Sequence, residues 1–96
     1  MNYIFLDASS TEVVGQVGTA REFFPFQWNT ERNLASRVTR LCEEMLERAG
    51  LRVSDISRFG LGTGPGSLTG LRVAAAFMRT LALATGSPLT PVDLFT

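Results

Sequence analysis

Ninety-six residues with 45% apolar and 19% charged side chains make one small globular domain, able to bury roughly 60–70% of its unfolded surface. The nine acids are balanced by nine basic residues, all arginine, and a net charge of zero argues against direct binding to a nucleic-acid backbone. One cysteine, Cys42, excludes an internal disulfide and fits a reducing cytosol, and the absence of histidine removes the usual zinc ligand sets.

Tyr3-Ile4-Phe5-Leu6 is a continuous apolar run that predicts a central strand buried on both faces, ending at Asp7. It is too short for a signal peptide core or a membrane span, and no basic segment precedes it. An acid at the end of such a strand suits either a ligand-facing carboxylate or a turn aspartate that binds nearby backbone N–H groups. Glu12 to Val17 predicts a second strand. Arg21 to Trp28, rich in phenylalanine, predicts a third that pairs with it as a hairpin. Pro25 within the third argues for an edge strand or a bulge.

The first helix is expected to be capped by Asn29 or Thr30, to carry Glu31 in its first turn and to stop at Gly50. Leu34, Val38, Leu41 and Met45 form its apolar stripe, widened by Ala35, Cys42, Leu46 and Ala49. Glu44 and Arg48 on the charged side are ordered for an i, i+4 pair worth ~0.3–0.5 kcal/mol. Leu51 to Ser57 is a connector in which Ser54 is a candidate cap for a short turn.

Five of the nine glycines fall within the eleven residues from Gly60 to Gly70. Ser57-Arg58-Phe59 leads into this stretch as a short strand, and Leu71 onward continues as a helix that Ser67 or Thr69 can cap. Strand, glycine-rich turn and helix N-terminus together point free N–H groups at one spot and suit an anion. Asp7, Gly64, Gly66, Ser67 and Thr69 are therefore the candidate anion-binding residues, beside the alternative of a purely structural turn. A phosphate loop of the G-x-x-x-x-G-K-[ST] type fails for want of any lysine, and the G-x-G-x-x-G registers place Pro65, Ser67 or Thr69 where the last glycine belongs. A G-x-S-x-G nucleophile elbow fails because Pro65 stands two residues before Ser67, and no histidine is present to activate the hydroxyl.

The second helix, from about Leu71 to Thr85, has only Arg72 and Arg79 as charges and is apolar on nearly every side. Such a helix is expected to be buried all round, needing cover on two faces from within the chain or from a partner. The candidate interface residues are Leu34, Val38, Leu41 and Met45 on the first helix and Val73, Ala74, Phe77, Met78 and Leu81 on the second. Gly86 and Pro88 end the helix, and Leu89 to Phe95 predicts a last strand.

Gly64-Pro65-Gly66-Ser67-Leu68-Thr69-Gly70-Leu71-Arg72 resembles the G-P-G-S-[FL]-T-G-[LIV]-R signature of the TsaB (YeaZ-like) family, and the order of elements agrees over all 96 residues. The resemblance implies an α/β, actin/hexokinase-like (ribonuclease H-like) half-domain, a mixed sheet with two main helices. It also implies a cytoplasmic, non-catalytic scaffold without its own cofactor or metal, serving the synthesis of threonylcarbamoyladenosine in tRNA. The implied partners are a TsaD-like subunit and a TsaE-like ATPase, with tRNA engaged only indirectly, while the apolar faces of the helix from Leu71 to Thr85 predict a homodimer when the chain is alone. Members of the family are about twice as long, so residues 1–96 correspond to their first domain, without the second. Members also carry a histidine in an R-E-H-S-like stretch near the start of the first helix, where Glu31-Arg32-Asn33-Leu34 stands here. The alternatives are a nucleotide-binding phosphotransferase or ATPase of the same superfold, working through Asp7 and the glycine turn, and a ligand-free self-associating module.

Overall fold

The computed structural model describes residues 1–10, 12–29, 34–63 and 68–92. Strands β1 (Tyr3–Asp7), β2 (Glu12–Gly18) and β3 (Phe23–Asn29) are followed by helix α1 (Leu34–Ala49), a single 3₁₀ turn (Val53–Asp55), β4 (Arg58–Gly62), α2 (Leu68–Thr85) and β5 (Leu89–Val92). The five strands form one mixed sheet in the order β3-β2-β1-β4-β5. β1 to β3 are antiparallel neighbours, while β4 runs parallel to both β1 and β5.

β1 is central, as its unbroken apolar run predicts, but it is not equally buried on both faces. Ile4 and Leu6 are 1% exposed, whereas Tyr3 and Phe5 on the other face are only half-buried. Period-two alternation therefore sends Ile4, Leu6, Val13, Val17, Phe59 and Leu61 to one face, where they join α1 and α2 in a single core. α1 lies over β2 and β3, and α2 over β1, β4 and β5. Phe59, Met45 and Met78 at the centre of this layer are fully buried, each worth about 1.5–3 kcal/mol of apolar transfer. The opposite face has no helix against it among the described residues. There Gly18 lies beneath the Tyr3 ring, whose hydroxyl accepts a 2.7 Å hydrogen bond from Gln16 Nε2.

β3 is an edge strand and holds Pro25 there, where a missing N–H costs the sheet least. It begins at Phe23 and not at Arg21, because the Thr19 hydroxyl accepts the N–H groups of both Arg21 and Glu22 and folds them into the hairpin turn. Asn29, one of the two expected caps, closes β3 opposite Glu12, and residues 30–33, where the helix it would cap begins, lie outside the described residues. The other expected cap, Thr30, and Glu31 lie outside the described residues.

α1 ends as expected at Gly50, whose φ of +69° is left-handed. The Gly50 N–H reaches the Glu47 carbonyl and the Leu51 N–H the Leu46 carbonyl, satisfying two of the helix's last acceptors. The 3₁₀ turn that follows is closed by Asp55, not by Ser54: the Asp55 carboxylate accepts the Arg52 N–H at 2.9 Å. Gly86, at φ +73°, ends α2 in the same manner as Gly50 ends α1. Gly60 and Gly62, assigned from sequence to the glycine turn, are residues of β4.

Candidate functional site

The parallel strands β1 and β4 end side by side at Asp7 and Gly62, the edge of an open sheet where ligands are held in α/β proteins. Asp7 is 6% exposed and its Oδ1 accepts two hydrogen bonds, 2.9 Å from the Ser9 N–H and 2.6 Å from the Ser9 hydroxyl. Ser9 is itself only 9% exposed. The rest of the Asp7 carboxyl group lies directly over Gly62, and a Cβ at that position would collide with it. The sequence left Asp7 open between a ligand-facing and a turn-forming role. The geometry shows the turn: one carboxylate oxygen holds both the backbone and the side chain of Ser9, fixing the polar loop after β1.

Of the other candidate anion-site residues, Gly64, Gly66 and Ser67 lie outside the described residues. Thr69 is inside the first turn of α2 and exposed, so it is not the residue that caps the helix. Gly70 is likewise helical. Among the described residues no three histidine, cysteine, aspartate or glutamate side chains gather closely enough to hold a metal ion. No described helix is long and apolar enough to cross a membrane.

The candidate interface residues divide sharply. Leu34, Val38, Leu41 and Met45 are between 0% and 8% exposed. They form the underside of α1 against the chain's own sheet, so they are core and not a partner surface. Ala74 and Met78, both 0% exposed, are corrected in the same way. Helical periodicity identified them as buried, but it cannot distinguish burial within a chain from burial between chains. Val73, Phe77 and Leu81 are half-buried and pack against the core from its margin. α2 is not buried all round: Thr69, Ala76, Thr80 and Ala84 are exposed, and Leu83 is 75% exposed. α1 departs from expectation at Ala35, which is exposed.

A groove of about 400 Å³ along α1, lined by Trp28, Arg37, Arg40, Leu41, Glu43, Glu44 and Glu47, has no counterpart in the sequence reading. Its wall is fixed by the Trp28 indole N–H, which donates to Glu44 Oε2 at 2.8 Å, and by Arg37, which donates to the Asn29 carbonyl at 3.4 Å. Arg48, the expected helical partner of Glu44, lies 5.6 Å from the centroid of Phe26, which stacks on Trp28. The signal in the sequence was the alternation of Phe24, Phe26 and Trp28, which puts three aromatic rings on the helix side of β3. Cys42 on the buried side of α1 has its thiol pushed up to about 11 by burial and, secondarily, by Glu43, which makes it a poor nucleophile.

The model of the TsaD family, tRNA N6-adenosine threonylcarbamoyltransferase, matches residues 28–95. The chain belongs to the TsaD family. Within it the chain is TsaB/YeaZ-like. It is 32% identical over 66 residues to the tRNA threonylcarbamoyladenosine biosynthesis protein TsaB of Haemophilus influenzae, a match covering 69% of this chain and 28% of that protein. It is 41% identical over 59 residues to the tRNA N6-adenosine threonylcarbamoyltransferase of Thermofilum pendens, covering 60% of this chain and 18% of that one. YeaZ from Pseudomonas aeruginosa superposes with a TM-score of 0.89 at 25% identity, over 96% of this chain and 43% of its own. A RuvC from Thermus thermophilus, at 13% identity and a TM-score of 0.58, shares the fold alone. The architecture is thus the actin-like, ribonuclease H-like half-domain that the glycine signature implied. The chain spans only about a quarter of the TsaB length and less than half of the YeaZ length.

Proposed function

We propose that this member of the TsaD family is a non-catalytic partner subunit in the threonylcarbamoyl modification of tRNA adenosine, docking through its helical layer onto a TsaD-type subunit in the cytoplasm. The observation that carries this reading is the outer surface of α2. An 18-residue helix facing water ordinarily carries charges of both signs there. This one has only Arg72 and Arg79, with Ala76, Thr80, Leu83 and Ala84 exposed beside them. Small side chains on such a surface let a second helix approach closely. α1 packs alongside and contributes exposed Ala35 and Thr39 to the same layer. Similarity to TsaB and YeaZ supports the choice of pathway, and the hydrogen bonds from Ser9 to Asp7 support a structural use for this carboxylate at the strand ends.

The rival, a transferase or phosphotransferase acting through Asp7, is favoured by the position of that carboxylate at the ends of two parallel strands. One experiment separates the two. The purified chain is mixed with a TsaD-type subunit and, with ATP, the threonylcarbamoyl donor system and a TsaE-type ATPase, assayed for transfer to tRNA. Co-elution with the TsaD-type subunit, with transfer requiring that subunit and surviving Asp7→Ala, is the expected result. Transfer by the chain without the TsaD-type subunit, abolished by Asp7→Ala, would overturn the scaffold reading in favour of the rival.

A further inference from the structure

We draw no further inference here: the strongest candidate, the helix-free face of the sheet carrying Tyr3, Phe5, Val14, Gln16 and Phe23, leaves Val14 42% and Phe23 62% exposed, but nothing in the structure shows what covers it.

Discussion

Gly62 and Gly50 are both required to be glycine, for opposite reasons. At Gly62 the constraint is space, since a methyl group would enter the volume of the Asp7 carboxyl. At Gly50 it is conformation alone, since φ is +69° and nothing lies within 4 Å of the Cβ position. Gly50→Ala should therefore cost about 1–2 kcal/mol, the penalty of a left-handed L-residue. Gly62→Ala should cost about 3 kcal/mol or more, because it overpacks the site and displaces the acceptor of two buried hydrogen bonds. Thermal melts of the two variants check the ranking. Adding Asp7→Ala to Gly62→Ala should recover part of the loss, whereas Gly50→Ala combined with Asp7→Ala should be additive. Additivity in both pairs would mean that Asp7 and Gly62 are not in contact. At the same scale, Cys42 makes stability depend on pH. Its thiol ionises near 9.0 in a free chain and about 11 in the fold, so the unfolded state loses its proton first. Stability due to Cys42 is full below pH 9 and falls between pH 9 and 11, by about 2–3 kcal/mol in total. Denaturant midpoints across that range should fall more steeply for the wild type than for Cys42→Ala; parallel slopes would refute the assignment. The sequence made Asp7 legible as an acid at a strand end. It could not show the Asp7–Gly62 contact, which depends on the parallel pairing of two strands more than fifty residues apart.

The joint between α1 and β3 shows how far periodicity carries at the level of elements. The apolar stripe Leu34, Val38, Leu41 and Met45 is legible because a helix places positions three and four apart on one face. All four are buried, and Met45→Ala at the centre should cost about 2–5 kcal/mol. On the charged side, the i, i+4 spacing of Glu44 and Arg48 says nothing of what lies across the helix. With β3 placed beside them, Glu44 accepts the Trp28 N–H and Arg48 stacks on Phe26. An acceptor for an indole N–H and an aromatic face for a guanidinium are each worth more than an exposed helical ion pair of a few tenths of a kcal/mol. A double-mutant cycle of Trp28→Phe with Glu44→Ala should give a coupling of about 0.5–1 kcal/mol, modest because the bond is exposed. The cycle of Glu44→Ala with Arg48→Ala should give a smaller value. The reverse order would make the intrahelical pair the stronger of the two.

At the scale of the whole molecule the question is which surface meets another chain. Among the described residues the exposed large apolar side chains are Met1, Val14, Phe23 and Leu83. Val14 and Phe23 belong to the open sheet face and Leu83 to α2, so two surfaces compete for a partner. Hydrophobicity alone does not select between them, because single exposed apolar residues are ordinary on protein surfaces. Charge distribution does. The outer surface of α2 is small and has no acid, and helix-on-helix contact requires close approach over several turns. The isolated chain is accordingly expected to self-associate through the helical layer, the same surface proposed for the TsaD-type subunit, and each partner should displace the other. Ala76→Arg adds a long charged side chain at an exposed position in the middle of that surface, without touching the core. Sedimentation at micromolar concentration should shift from dimer to monomer, with an unchanged melting temperature once the two are compared as monomers. The double variant Val14→Thr with Phe23→Thr should leave the dimer intact. If the sheet-face variant dissociates it while Ala76→Arg does not, the helical layer is the wrong surface and the partner reading built on α2 fails with it. A wild-type chain that stays monomeric and also fails to bind a TsaD-type subunit would remove the helical layer from consideration altogether.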